Sequence, residues 1–171
     1  MKTVLILSAL LFFSNVFFAQ TVDNGGFEDW TDGAPNSWTS DSGFEISEEN
    51  SIVYSGSASA KVNLKTDDQN NADLLQKVSV TEGKVYKFTA FLYHTEGGAR
   101  ARFYFEDGAE GGYSSPGTTN EWQELTDEFT AQTSGEIDIG LKFYDVQDSF
   151  DGSEITYVDD FSIEEKNRIN N

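Results

Sequence analysis

Alternation of apolar and polar residues with a period of two runs through most of this chain. Val85–His94 sets Tyr86, Phe88, Ala90 and Leu92 against Lys87, Thr89, Phe91 and Tyr93. Ala99–Glu106 sets Ala101, Phe103 and Phe105 against Arg100, Arg102 and Tyr104. Glu136–Asp145 sets Ile137, Ile139, Leu141 and Phe143 against Asp138, Gly140, Lys142 and Tyr144. Successive side chains of a strand point to opposite faces, so each segment predicts a β-strand with one apolar face. Shorter candidates occupy 43–48, 59–64, 73–80, 122–131 and 155–163. Turn signals separate them: Asp32-Gly33-Ala34-Pro35, Ser55-Gly56, Glu82-Gly83, Glu96-Gly97-Gly98, Asp107-Gly108, Ser115-Pro116-Gly117 and Ser134-Gly135. No segment carries a convincing helical stripe. Eight or more short strands at this spacing predict an all-β chain folded as an antiparallel β-sandwich.

The first nineteen residues break the pattern. Met1-Lys2 is a short basic start, Val4–Phe18 is apolar apart from Ser8, Ser14 and Asn15, and Ala19 supplies a small residue before Gln20. This is the build of a secretory signal peptide over 1–19, too short for a comfortable membrane span. Residues 20–165 then form one sandwich domain and 166–171 a polar tail. The expected destination is extracellular or periplasmic. No later segment is apolar enough to span a bilayer.

Composition narrows the chemistry. The chain holds 30 acidic and 11 basic residues, for a formal charge of −19. Loss of 1–19, with its single lysine, moves the net to −20. Phosphates would be repelled at every approach, which argues against a nucleic-acid partner. With no cysteine, disulfide scaffolds, thiolate nucleophiles and Cys-ligated metals are excluded. The single histidine, His94, leaves little for a zinc site or a Ser-His-Asp triad. Adjacent strand residues point apart, so His94 and Tyr93 do not share a proton relay, and His94 reads as a core residue.

The polar faces of the three long strands hold the candidate site. A solvated sheet surface commonly carries Thr, Lys, Arg and Tyr. A saccharide platform uses the same residues differently: rings stack on sugar C–H patches, and arginine pairs with hydroxyls. Phe91, Tyr93, Tyr104 and Tyr144 would supply rings; Arg100, Arg102, Lys87 and Lys142 would supply donors. A solvated Phe91 in mid-strand favours the platform. If the four cations share one face, a local positive patch on an acidic protein would favour an anionic, uronate-containing or sulfated glycan. A second candidate is the loop end, where Trp30, Trp38 and Tyr113 could gather, although early tryptophans more often close a core.

The ends of the chain carry a resemblance. Asn24-Gly25-Gly26-Phe27-Glu28 opens the domain; Ser55–Val62, Gly83–Phe88 and Trp122–Leu125 follow; Tyr157-Val158-Asp159-Asp160-Phe161 closes it. In this order the segments resemble the jelly-roll carbohydrate-binding modules of the galactose-binding-like superfamily, especially families 4, 9 and 22. The resemblance implies a jelly roll that binds polysaccharide in a groove on its concave sheet. It also implies a structural calcium, with carboxylates from Glu28 and Asp159 and backbone carbonyls near Gly56 and Lys61. Calcium takes six to eight oxygens from distant segments, and so can staple both ends of a chain without disulfides. The acidic run Asp145, Asp148, Asp151-Gly152 lacks EF-hand spacing and reads as a solvated loop.

An enzyme is the weaker reading. Glu136-Ile137-Asp138 begins like the acid-bearing strand of jelly-roll laminarinases and agarases, but Lys142 stands where their second glutamate falls. A retaining hydrolase needs two carboxylates about 5 to 5.5 Å apart, so an amine there removes the reaction. The alternative to a non-catalytic polysaccharide binder is an extracellular structural, adhesive or protein-interaction domain of the same fold, since fold alone does not fix function. Which polysaccharide binds, whether a separate enzyme is served, and the oligomeric state stay open.

Overall fold

A computed structural model of the protein describes residues 22–67, 72–106 and 111–166. The expected signal peptide, the expected Asp107-Gly108 turn and the expected tail lie outside them, the last but for Lys166. The described residues form eleven strands: β1 (Trp30–Thr31), β2 (Ala34–Pro35), β3 (Thr39–Ser40), β4 (Phe44–Glu49), β5 (Ser59–Leu64), β6 (Asp73–Val80), β7 (Val85–His94), β8 (Ala99–Phe105), β9 (Trp122–Thr130), β10 (Gly135–Asp145) and β11 (Glu154–Lys166). Each segment with period-two alternation is a strand at or within a few residues of its expected bounds. The last runs through Lys166, one residue past the expected domain end at 165.

Two sheets stack face to face. One is four-stranded, in the order β3-β6-β10-β8, and the other five-stranded, in the order β4-β5-β11-β7-β9. All neighbours within them are antiparallel. The all-β class and the jelly-roll sandwich are as expected. Burial alternates residue by residue along β7 and β8, and the apolar faces meet between the sheets. Phe88 lies at the centre, with ring contacts to Phe103, Phe105, Phe129 and Phe161.

The N-terminal segment is sewn onto the last strand. Phe161 N–H donates to the Gly25 carbonyl at 2.9 Å, and a Cβ on Gly25 would lie 2.1 Å from the Phe161 oxygen. Only glycine permits that approach. Trp38 and Trp30 turn inward here: Trp38 stacks on Phe27 at 5.1 Å and its indole donates to the Asn24 carbonyl, while Trp30 donates to the Phe27 carbonyl. Both tryptophans close the core, and the loop-end cluster with Tyr113 does not form.

β11 contains a bulge. Its register with β7 shifts between Asp159 and Ser162, and Asp160 takes a positive φ of 46°. The extra residue reverses the side-chain phase. Tyr157 and Asp159 therefore point out of the sandwich before the bulge, while Phe161 and Ile163 point in after it.

Candidate functional site

The seven residues expected to form one platform divide between two faces. β8 and β10 are neighbours in the four-stranded sheet, with Arg102 opposite Lys142, Arg100 opposite Tyr144 and Tyr104 opposite Gly140. Arg100, Arg102, Tyr104, Lys142 and Tyr144 accordingly share its outer face. β7 belongs to the five-stranded sheet, so Phe91 and Tyr93 project from the opposite side of the sandwich. Lys87 goes with them, in register with Glu164 and Glu128. The expectation of four cations on one face is corrected: three share it.

On the four-stranded face, cations and rings interleave. The Arg100 guanidinium lies 3.9 Å from the centre of the Tyr113 ring, and Arg102 lies 4.9 Å from the same ring. Arg102 donates to the Tyr144 hydroxyl from Nε at 3.1 Å and from Nη2 at 2.6 Å. Lys142 Nζ sits 4.6 Å above the Tyr104 ring and forms an ion pair with Asp73 at 3.2 Å. Burial alone would lower the Lys142 pKa, but the hydrogen bond and charge of Asp73 outweigh it and hold the ammonium above its usual range. Burial raises the Tyr104 phenol, which stays neutral. Tyr113 is held by a bridge to Arg102 and is 40 % exposed, so part of its ring is open to solvent.

Beside this array opens a cleft of about 450 Å³, lined by Arg100, Asp145, Val146, Gln147, Asp148 and Ser149. The buried Arg100 Nε has no hydrogen-bond partner among the described residues. Asp145, expected in a solvated loop, is instead buried at the end of β10, where its carboxylate accepts the Gln147 N–H at 3.0 Å. Asp148 and Asp151 are exposed as expected.

His94 is a fully buried core residue, as its strand position implied. Its Nδ1 meets Thr156 Oγ1 and its Nε2 meets Ser114 Oγ, both at 2.9 Å. Burial lowers its pKa to about 4, so the ring is neutral. Ser114 also accepts the Ala101 N–H, which ties β7, β8 and the Tyr113 segment together.

The residues expected around calcium converge in part. Asp159, fully buried, accepts the Tyr54 and Ser55 N–H groups at 2.8 and 3.2 Å. Glu28 accepts the N–H groups of Ser57 and Ala58. Gly56 lies between these contacts with φ at +73°, and a Cβ on it would sit 2.0 Å from Glu28 Oε1. Two carboxylates from opposite ends of the chain thus grip one short loop through its backbone N–H groups. Burial raises the Asp159 pKa to about 6, against the lowering effect of its backbone hydrogen bonds. A cation beside it would offset that cost. Glu28 moves the other way, its pKa lowered by hydrogen bonds from Ser57. Lys61 is held differently: it lies inside β5, in register with Ser47 and Tyr157. Among the described residues no group of three or more Asp, Glu or His side chains gathers, so any metal here would lean on backbone carbonyls.

The family model described as a carbohydrate binding domain, covering module families 4 and 9, matches residues 15–144. The chain belongs to this carbohydrate-binding domain family. No curated protein sequence matches it. Among solved structures, the domain resembles the family 22 xylan-binding domain of Xyn10C from Paenibacillus barcinonensis, with 16 % identity, 86 % of this chain and 92 % of that one covered, and a TM-score of 0.58. It also resembles TmCBM61, solved with β-1,4-galactotriose, with 18 % identity, 86 % and 99 % covered, and a TM-score of 0.60. A third likeness is to the α-L-arabinofuranosidase MgGH51, with 12 % identity and a TM-score of 0.67, where the match covers 86 % of this chain but 26 % of that enzyme. These likenesses show a shared fold.

Three residues of the carbohydrate-binding domain's polar face escaped sequence reasoning. Tyr113 was assigned to the loop end, and Asp73 and Asp145 were not singled out for this face. Asp73 was legible as the first residue of a strand. Its pairing with Lys142 depends on β6 lying beside β10, across more than sixty residues of chain. On the other face, Tyr54 and Trp122 were missed as partners of Phe91 and Tyr93. No local signal announces that the loop before β5 folds over β7.

Proposed function

We propose that this domain is a secreted, non-catalytic module that binds polysaccharide on the outer face of the four-stranded sheet. One observation carries the reading: the Arg100–Tyr113–Arg102–Tyr144 array borders an open cleft, with the Arg100 Nε buried and unpartnered. A guanidinium presents planar paired donors suited to vicinal hydroxyls or a carboxylate, and an unsatisfied buried donor is costly until a ligand oxygen meets it. Tyr113 offers the ring surface against which a sugar can stack. The Lys142 charge is already met by Asp73 and Arg102 donates to Tyr144, so an anionic glycan would be recognised first through Arg100. The related structures named as xylan-binding or galactotriose-bound favour a plant-type glycan as ligand.

A structural calcium forms part of this reading. Glu28 and Asp159 would supply its carboxylates, with carbonyls near Gly56 and Lys61. Bound there, the ion would neutralise the buried Asp159 and fasten the N-terminal segment to β11. Affinity electrophoresis against xylan, β-glucan, galactan, alginate, pectin and sulfated galactan, each with calcium and with chelator, tests both parts. Retention lost in Arg100→Ala supports the site, and a chelator-induced fall in melting temperature supports the ion. A folded protein retained by none of the glycans points instead to a structural or protein-interaction domain.

A further inference from the structure

The five-stranded sheet carries an aromatic surface that the proposed site does not use. The loop between β4 and β5 folds over the sheet and lays Tyr54 on Phe91, ring centres 3.6 Å apart and 13° from parallel. Trp122 meets Tyr54 edge-on at 5.7 Å and Tyr93 at 5.6 Å, and Tyr93 meets Tyr157 at 5.7 Å. Tyr157, Tyr93 and Trp122 stand in register across β11, β7 and β9. Five rings thus form one continuous patch, and none of them closes the core between the sheets.

Two features point to what covers this patch. Tyr54 is 44 % exposed while stacked on Phe91. The hydroxyls of Tyr54, Tyr93 and Tyr157 and the Trp122 indole N–H have no hydrogen-bond partner among the described residues. Exposed Tyr54 and half-buried Phe91, Tyr93 and Trp122 present ring surface with polar tips, backed by Tyr157 at 5 % exposure, and this matches a sugar, which offers C–H patches and hydroxyls in alternation. The rim carries more acid than base: Glu124 lies opposite Phe91, Glu49 is close enough to raise the Tyr157 pKa after burial, and Lys61 opposite Tyr157 is, among the described residues, the one cation placed beside the rings by strand pairing. That charge repels carboxylates and sulfates, leaving a neutral glycan as the complementary ligand.

We propose that the Tyr54–Phe91–Trp122–Tyr93–Tyr157 surface is a second saccharide site, selective for neutral polysaccharide. The two sites lie on opposite faces of the sandwich, so one molecule bridges two glycan chains. This inference stands on different residues from the four-stranded face, and the two fail separately.

The test uses the full chain and soluble xylan, mixed-linkage β-glucan and β-1,4-galactan in affinity electrophoresis, with thermal melts to verify folding. Arg100→Ala/Arg102→Ala, which removes the first site, retains binding to at least one neutral polysaccharide. Adding Tyr54→Ala weakens that residual binding by about tenfold or more. Titration of the double-arginine variant shifts tryptophan fluorescence, and Trp122→Phe abolishes the shift while Trp30 and Trp38 report no change. The wild type cross-links glycan-coated beads, whereas either single-site variant does not. The proposal is overturned if the folded double-arginine variant binds no neutral polysaccharide, or if Tyr54→Ala and Trp122→Phe leave its binding intact. Concentration-dependent dimerisation that Tyr54→Ala abolishes would identify a second copy as the occupant, and equally overturns it. Loss of binding through the Tyr54 variant alone, with the arginine variant at full affinity, would instead remove the first site and keep the second.

Discussion

The two outer faces of this sandwich use aromatic residues in opposite ways. On the four-stranded sheet Tyr104, Tyr113 and Tyr144 each lie under a cation: Lys142, Arg100 and Arg102. On the five-stranded sheet the rings pack against one another, from Phe91 under Tyr54 to Tyr157 beside Tyr93. A cation over a ring holds the guanidinium or ammonium in place, here with Lys142 paired to Asp73 and Arg102 donating to the Tyr144 hydroxyl. Rings packed edge to face give a broad, neutral surface with little conformational freedom left to lose. The first arrangement suits directional recognition of oxygen atoms; the second suits stacking. An acidic chain can thus hold a polar grip and an apolar platform back to back, with one shared core between them.

The largest expected effect lies at the seam between the faces. His94 on β7 contacts Ser114, the neighbour of Tyr113. Its pKa is depressed to about 4, whereas the unfolded chain takes up the proton near the ordinary value of 6.5. The neutral ring therefore supports the fold fully above pH 6.5, and that support is lost as pH falls towards 4, amounting to roughly 3 kcal/mol. Asp159 acts in the opposite sense: with its pKa raised to about 6, ionisation costs stability as pH rises through the range from 4 to 6. The wild-type curve should be shallow there. Urea melts of wild type and His94→Gln at pH 7 and pH 4 separate the two, since the gap between the proteins should shrink by about that amount at pH 4.

Next comes the polar face itself. Arg100→Ala/Arg102→Ala should weaken binding at the four-stranded face by about 100-fold while Tyr54→Ala leaves that face unchanged, as lost charge-assisted hydrogen bonds are worth ~1.5–3 kcal/mol each. Affinity electrophoresis of both variants side by side measures this, and equal losses would erase the distinction between the faces. Asp73→Asn leaves Lys142 without its counter-charge in a partly buried setting, at a cost of about 1–2 kcal/mol. The same change should strengthen binding to alginate or pectin relative to neutral glucan, which a two-ligand titration reads. The smallest effect is Tyr54→Ala on stability, about 1 kcal/mol for one lost ring stack. A much larger loss in the melt would make the Tyr54–Phe91 pair a structural clamp rather than a surface.

Much of this architecture was legible along the chain. The strand bounds of β5, β6 and β7 follow from alternation alone, and so do the buried His94 and the outward Arg100, Arg102 and Tyr104. The Asn24–Glu28 and Tyr157–Phe161 segments carried the family resemblance. They meet in space through the Phe161–Gly25 hydrogen bond. The grouping of Phe91 and Tyr93 with the arginines was not legible. The turn at Glu96-Gly97-Gly98 looks like a hairpin connection, yet it carries the chain from one sheet to the other.

The physical reason is the range of each interaction. Alternation is set by the backbone of neighbouring residues, so the sequence by itself determined which side chains face the core and which face out. Which outward faces coincide depends on strand pairing between distant segments: β10 with β6 and β8, β7 with β9 and β11. Such pairings are selected by the packing of the whole core, and no local signal encodes them. Tertiary structure alone therefore divided one expected platform into two, and brought Tyr54 and Trp122 to one face and Asp73 and Tyr113 to the other.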